Sequence, residues 1–423
     1  MIKAYEIIGK PTINGTIKVQ GSKNASLAII IASLLIKDKV IIKNVPDILD
    51  IKELLEILNI INVYTDYKDF TLTIDSSSLT YTPLLLPQIQ KFRASYYFIG
   101  VFLSLFNQVE IYMPGGCNIG NRPIDQHIKG LNTLDVNISI KDNILNANCT
   151  AIKGNEINLD IPSVGATINL ILASVFASEK TIIKNAAKEP EIIDLVNFLN
   201  LAGANISGEG SSVIIISPIE KLNSVTYSVT SDRIVAGTYL IYGALFAKKL
   251  TLTNIETKDN YSLINTLINL GCQMDIRKDQ ISIYKLDSFT YANIKTDVHP
   301  HFPTDLQQII TTFLFNGSNV SIVEETIFEN RFSFLKEIEK MGGKYFIYDN
   351  KAIIIPSKLK GNIVNCCDLR GGAAILLACL MASGKSIIKN IEFIERGYEN
   401  IVETLKSVNV DIKEIQIDEK DII

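Results

Sequence analysis

The chain has 423 residues, 47% of them hydrophobic and 20% charged, with a formal net charge of −4. That length is enough for two or three domains with real cores, and the composition is that of a soluble globular protein rather than a disordered or fibrous one. The slightly acidic balance argues against general nucleic-acid affinity, so the basic groups must act locally.

The first residues, Met1-Ile2-Lys3-Ala4-Tyr5-Glu6, lack the charged-then-apolar order of an export signal. The longest apolar runs, residues 27–36 and 373–382, are about half of what spans a bilayer and read as core helices, so no membrane contact is expected. Six cysteines at irregular spacing, without an export signal, predict reduced thiols in a cytoplasmic protein. His127, His299 and His301 lack metal-ligand spacing, and no GxGxxG or Walker-type loop is present; neither a metal nor a cofactor is expected.

In chain order, an apolar helix over residues 27–35 is followed by a short β-rich segment at 41–44. The same pair returns at 96–106 with 109–113, 168–176 with 182–185, 239–246 with 250–254, 309–315 with 320–323, and 373–381 with 387–390. The string Ile-Ile-Lys-Asn recurs in three of these segments, at 41–44, 182–185 and 387–390. A more amphipathic helix follows each, and Gly203, Gly271 and Gly342 stand where left-handed caps would close three of them. Self-similarity at this period marks six copies of one βαβαβ-type unit. The residues starting the six apolar helices, Lys23, Arg93, Ser163, Arg233, Asp305 and Arg370, lie 70, 70, 70, 72 and 65 positions apart by subtraction.

Charge follows the repeat. Only seven of the 41 basic residues are arginine, and Arg93, Arg122, Arg233, Arg331, Arg370 and Arg396 all fall at predicted loop-to-helix junctions. A planar, always-protonated fork is suited to gripping carboxylates and phosphates. Arg277 falls in a predicted hairpin and reads as solvated. A second polar set, 117–122, 189–191, Arg331 and Arg396, is expected at the start of the second helices. Units of one architecture direct equivalent helix N-termini to one side, where unpaired N–H groups and the dipole favour anions. Six units exceed one ordinary domain, so two lobes of three units each, with a site in the cleft between them, is the economical division.

The strongest local signal is Pro114-Gly115-Gly116-Cys117-Asn118-Ile119-Gly120-Asn121-Arg122-Pro123, in which three glycines free the backbone around a thiol close to a cation. Such a thiol becomes a thiolate or proton donor more readily than a buried one; Cys149, Cys272 and Cys379 read as small buried hydrophobes. In Gly21-Ser22-Lys23-Asn24 a lysine opposes the dipole of the helix it starts, a conflict that an anionic ligand would resolve. In Phe302-Pro303-Thr304-Asp305 the aspartate reads either as an N-cap or as a general base.

Those strings, with Phe328-Glu329-Asn330-Arg331, Asp368-Leu369-Arg370 and Glu395-Arg396-Gly397-Tyr398, resemble the UDP-N-acetylglucosamine 1-carboxyvinyltransferase family nearly end to end. The cysteine loop separates the chain from the sister family, 5-enolpyruvylshikimate-3-phosphate synthase. The resemblance implies an α/β (α+β) fold, a two-lobed inside-out α/β barrel, with residues 23–230 as first lobe and 1–22 with 231–423 as second. It implies transfer of the enolpyruvyl group of phosphoenolpyruvate to the 3′-hydroxyl of UDP-N-acetylglucosamine with release of phosphate, the first committed step of peptidoglycan synthesis. By carry-over Lys23, Arg122, Arg370 and Arg396 hold phosphoenolpyruvate, while Arg93, Ser163, Val164, Asp305 and Ile327 line the sugar-nucleotide site. Asn24, Pro123, Ile124, Asp125 and Gln126 join the substrate-binding set, Asp305 takes the hydroxyl proton, Cys117 serves protonation or product release, and Arg331 and Asp368 turn over the adduct. Lys23 and Arg396 count with Cys117 and Asp305 as the catalytic residues. The chain departs from the family pattern at Leu49, Val235 and His301, where a lysine, a glutamate and a small residue are usual. The alternatives are a shikimate-type enolpyruvyl transferase and a non-catalytic sugar-nucleotide-binding relative. The sequence leaves the oligomeric state open, and a monomer is compatible with it.

Overall fold

The computed structural model describes residues 1–113, 115 and 124–417. These form two compact units, one running from Gly21 to Thr230 and the other combining Met1–Gln20 with the chain from Ser231 onward. Each crossing is anchored inside its own unit: Ser22 N–H donates to Thr230 O at 2.8 Å, and Asp232 N–H to Gln20 O at 2.9 Å.

Six small sheets lie in the described residues, five of four strands and one of three. In the five four-stranded sheets the strand foreseen from the repeat is interior, and in the three-stranded sheet it, Gln108–Tyr112, lies at the edge. Each is paired antiparallel with a strand that follows it or, in the last sheet, with Ile2–Ile8. In five sheets a short strand pairs parallel on its other side. In the three-stranded sheet that parallel partner shrinks to one bridge, Leu84 with Ile111. The parallel partner of Lys39–Lys43 is Thr226–Ser228 from the far end of its unit, and that of Ala247–Thr253 is Ile13–Lys18 from the N-terminus. Each unit is therefore closed by chain brought in from outside its consecutive repeats.

Alternation sets the buried faces: in Lys39–Lys43, Val40 and Ile42 are buried while both lysines are exposed. The asparagine that ends the Ile-Ile-Lys-Asn string has a conformational role. Asn44, Asn185 and Asn390, with Asn254 at the matching place, have φ between 55° and 59°. In each, the side-chain amide donates to a carbonyl beside the neighbouring parallel strand: Val229, Leu159, Cys366 and Val19 respectively. A short polar side chain tolerates the left-handed region and recovers a local hydrogen bond there, which explains why the motif ends in asparagine.

The six apolar helices are α1 (Lys23–Ala32), α2 (Tyr97–Phe106), α3 (Val164–Ser174), α4 (Arg233–Phe246), α5 (Thr304–Phe313) and α6 (Leu369–Met381). They are apolar on nearly every side because they are surrounded, and they form the cores of their respective units. Close approach uses glycine where required: a Cβ on Gly100 of α2 would fall 2.5 Å from the Asn169 carbonyl oxygen of α3. Gly203, Gly271 and Gly342 have φ of +107°, +98° and +95°, as the cap reading requires.

Three local expectations are corrected. Arg93 begins a 3-10 turn, Arg93–Tyr96, and α2 starts only at Tyr97. Arg396 follows the short helix Glu392–Glu395 at its C-terminal end rather than starting a helix. Cys149 is half-buried, its thiol 3.8 Å from the Asn107 carbonyl, unlike the buried Cys272 and Cys379. Arg277 is exposed in the turn between Met274–Ile276 and Gln280–Ile283, in keeping with a solvated hairpin residue. Among the described residues no helix is long and apolar enough to cross a membrane.

Candidate active site

In the unit that contains α4, α5 and α6, Asp305 lies in the first turn of α5. The cap position belongs to Pro303, so the N-cap reading of Asp305 is overturned. It meets two guanidinium groups instead. Arg331 Nη2 donates to Asp305 Oδ1 at 2.6 Å and to the Thr304 carbonyl at 3.2 Å. Arg370 donates through Nε to Asp305 Oδ2 at 3.3 Å, with its Nη2 also 3.3 Å from that oxygen. Both arginines are buried, their side chains 2% and 5% exposed, while the Asp305 side chain retains 31%. The aspartate is the accessible end of an otherwise enclosed cluster.

The arginines are aimed by their surroundings. Arg331 lies over the Phe328 ring, 5.2 Å from its centroid, and Arg370 over Tyr398 at 5.7 Å. Tyr398 is itself buried and its hydroxyl is 2.9 Å from Thr238 Oγ1. Asp368 is the true cap of α6: its Oδ1 accepts from the N–H groups of Arg370 and Gly371 at 3.0 and 2.9 Å, and its Oδ2 accepts from Gln308 at 3.1 Å. Fixing the first turn of α6 in this way fixes the origin of the Arg370 side chain. Burial opposes the Arg370 charge, but Tyr398, Asp305 and Asp232 outweigh it and hold its pKa above the ordinary value. Arg370 Nη1, Arg331 Nε and Gln308 Oε1 are buried without a hydrogen-bond partner. The two guanidinium nitrogens are unsatisfied donors and the amide oxygen an unsatisfied acceptor, and buried groups of this kind are costly until a partner arrives.

The loop carrying Arg396 is held by Gln20, whose Oε1 accepts from Glu399 N at 2.8 Å and whose Nε2 donates to the Gly397 carbonyl at 3.2 Å. Arg396 is half-buried. Ile327 is exposed, its N–H donating to Glu325 Oε1 at 2.8 Å.

The unit from Gly21 to Thr230 presents a second set. Ser22 caps α1 by accepting from Ala25 N at 3.3 Å, and a Cβ on Gly21 would fall 1.7 Å from the Asn44 carbonyl oxygen. Lys23 therefore follows a tightly fixed backbone. Its Nζ reaches Asp50 Oδ2 at 2.6 Å, with both side chains largely buried. The conflict of a cation with the helix dipole is thus met by this chain's own carboxylate. Asn24 is exposed.

Arg93 stands over the Tyr96 ring at 5.4 Å, and burial lowers its pKa. Tyr96 in turn contacts His127 at 5.6 Å between centroids. Asn169 Oδ1 accepts from Gly100 N at 2.9 Å, which turns its amide to donate to His127 Nδ1, also at 2.9 Å. The histidine proton accordingly sits on Nε2. A Cβ on Gly165 would lie 3.0 Å from that nitrogen, so it overlooks the first turn of α3, which Ser163 caps by accepting from Ala166 N at 3.3 Å. Burial, with the nearby Arg93 charge, pushes the His127 pKa down to about 3, against a smaller opposing effect of Asp125. It stays neutral near pH 7. Val164 is half-buried as the first residue of α3, Ile124 is buried and Asp125 is exposed. Gln126 clamps Asp160, donating to its carboxylate at 3.2 Å and accepting from its N–H at 2.8 Å.

Cys117, Arg122 and Pro123 lie outside the described residues. Of the expected residues, Asp305, Arg331, Arg370 and Asp368 converge, and Ile327 is tied beside them through Glu325, whose Oε1 accepts from both the Ile327 N–H at 2.8 Å and Thr304 Oγ1 at 3.0 Å. Sequence reading missed Asp50, Gln308 and the His127–Asn169 pair. Each carried a signal: a polar residue on an otherwise apolar helix face, such as Asp50 four residues before Leu54.

These arrangements have relatives. The family model for EPSP synthase (3-phosphoshikimate 1-carboxyvinyltransferase) matches residues 8–405. The enolpyruvyl transferase NikO from Streptomyces tendae has the same fold, with a TM-score of 0.89 at 20% identity over 99% of this chain and all of that one. An EPSP synthase from Acinetobacter baumannii gives 0.75 at 16%, covering 98% and 100%. The fold and the match thus define an enolpyruvyl transferase of the EPSP synthase family. The chain is 39% identical over 407 residues to UDP-N-acetylglucosamine 1-carboxyvinyltransferase 2 of Listeria monocytogenes, covering 96% of each, and 40% identical over 411 residues to that of Staphylococcus aureus, covering 97% and 98%. Within the family, it belongs with the UDP-N-acetylglucosamine 1-carboxyvinyltransferases.

Proposed function

We propose that this chain transfers the enolpyruvyl group of phosphoenolpyruvate to the 3′-hydroxyl of UDP-N-acetylglucosamine, releasing phosphate in the first committed step of peptidoglycan synthesis. The observation that carries the reading is the Asp305 carboxylate gripped by Arg331 and Arg370, in a chain similar along nearly its whole length to the two named transferases.

The two substrates bring a carboxylate, a phosphate and a diphosphate, and the chain supplies cations in its place-by-place design. Lys23, Arg370 and Arg396, with Arg122, bind phosphoenolpyruvate. Arg370 Nη1, buried and without a partner, is the donor best prepared for a phosphate or carboxylate oxygen. Arg93, Ser163, Val164, Asn24, Ile124, Asp125, Gln126, Pro123 and Ile327 receive the sugar nucleotide. Addition joins the sugar O3′ to C2 of phosphoenolpyruvate while C3 gains a proton and the hydroxyl loses one. Elimination then removes a proton from C3 and expels phosphate from C2.

Asp305 takes the hydroxyl proton. Two guanidinium groups on its oxygens make it a weak base as it stands. Substrate anions that draw Arg370 toward themselves would free Oδ2 and raise its basicity, tying the base to the bound state. Arg331 and Asp368 steady the adduct, and Cys117 serves protonation or product release. A phosphate-release assay that offers UDP-N-acetylglucosamine and shikimate 3-phosphate separately tests the reading. Release with the nucleotide sugar alone supports it; release with the shikimate ester, or with neither, overturns it.

A further inference from the structure

We propose that the strand Lys344–Tyr348 is a self-association edge, through which two copies of the chain pair antiparallel about a twofold axis at Phe346. Among the described residues the strand is outermost in its sheet, with Lys351–Ile355 as its one neighbour. Its residues Phe346, Ile347 and Tyr348 are 65%, 48% and 72% exposed. Register sets Phe346 beside Ile353 and Ile353 beside Ile322, so an apolar row continues across three strands on the outward face. Long apolar edges invite pairing with another chain, and most proteins blunt them with charge.

The repeats of this chain provide an internal comparison. The hairpin with strands Tyr64–Lys68 and Thr71–Asp75 has the same build, a two-residue turn after a five-residue edge strand. Its central position, matching Phe346, is Asp66. In Asn137–Lys141 the same place is Ser139. Two copies meeting at Asp66 would oppose like charges, and two meeting at Ser139 would gain no apolar contact. The fold therefore does not require an aromatic residue there.

The geometry selects a second copy as the occupant. Tyr348 and Lys351 close a two-residue turn of Asp349 and Asn350, which makes them a hydrogen-bonded pair. Alternation along the ladder then points the N–H and C=O groups of Tyr345 and Ile347 away from the sheet, symmetrically about Phe346. In an antiparallel copy centred on Phe346, Tyr345 faces Ile347 of the second copy and Ile347 faces its Tyr345, so each outward group finds its complement. The two Phe346 rings meet at the axis, where side chains approach closest. Lys344 falls opposite Tyr348 of the second copy, beside its Asp349, an opposite charge at each end.

Sedimentation equilibrium and light scattering across a concentration series reaching roughly 1 mM test this. The wild-type chain should form a dimer, and Phe346→Asp, which installs the residue of the sister strand, should be monomeric with unchanged helix content and turnover and, compared at dilutions where both chains are monomeric, an unchanged melting temperature. Lys344→Glu should weaken the dimer at least tenfold, and adding Asp349→Lys should restore it. A wild-type chain that is monomeric throughout, a Phe346→Asp chain that dimerises as before, or open-ended assemblies larger than two would each overturn the proposal.

Discussion

Arg331 and Asp305 are joined by a 2.6 Å contact in which the arginine is almost wholly buried and the aspartate is not. The same Nη2 also binds the Thr304 carbonyl, so the arginine fastens the first turn of α5 as well as the carboxylate it carries. Such a grip needs a planar fork. Arg331→Lys keeps the charge but should lose part of the double contact, lowering the free energy of unfolding by about 1–3 kcal/mol in urea titration. An unchanged midpoint would show that the buried fork adds nothing to the fold.

Asp305→Asn retains the shape of the cluster and removes the anion. Turnover should fall by roughly 100-fold or more, the usual range for a lost general base. Circular dichroism should be unchanged while the urea midpoint drops, because two buried guanidinium groups lose their counter-charge. Full activity in a folded Asp305→Asn protein would remove the aspartate from the chemistry.

Arg396 stands on a loop fixed by Gln20, so its substitution should act on binding more than on folding. Loss of one charge-assisted contact costs on the order of 1.5–3 kcal/mol, or roughly 10- to 150-fold. Arg396→Ala should raise the KM for phosphoenolpyruvate by that factor; unchanged steady-state kinetics would take it out of the site.

Epoxides of the fosfomycin type should alkylate Cys117 alone. Burial pushes the Cys272 thiol up to about 11 and the Cys379 thiol to about 12; Cys367 is exposed as a residue, but partial desolvation of its thiol and the neighbouring Asp368 carboxylate push it up to about 12. Burial likewise raises Cys366 and Cys149. Few thiolates exist at neutral pH in that set. Peptide mass spectrometry should find a single adduct, and an adduct on any other cysteine would contradict the assignment.

His127 gives the folded protein a pH dependence of definite sign. Its pKa is lowered to about 3 on folding, from an unfolded value near 6.5, so the unfolded chain binds more protons between those limits. Its contribution is full above about pH 6.5 and is lost as pH falls toward about 3, by at most about 1.4 kcal/mol per pH unit. His127→Gln should flatten the acid side of the stability curve measured by urea unfolding. An unaltered slope would mean that the ring is protonated in the folded state.

Local chemistry made much of this protein legible from its residues alone. The period near 70 located one strand of every sheet, an interior one in all five four-stranded sheets. The apolar stretches identified the helices that fill each core, and the glycines after three second helices had the positive φ expected of caps. Both signals arise from interactions within a few residues, so they survive being read one unit at a time. Arginine placement pointed to Arg331 and Arg370, and the string Phe302-Pro303-Thr304-Asp305 to Asp305, although it could not tell that Pro303 rather than Asp305 caps α5. Only the tertiary structure decided which charges meet. The pairing of Lys23 with Asp50, the capping of α6 by Asp368 together with its bond to Gln308, and the fixed tautomer of His127 all depend on packing between elements. A helix N-terminus accepts either a ligand's anion or the chain's own carboxylate, and the choice follows from which side chain the packed core leaves within reach.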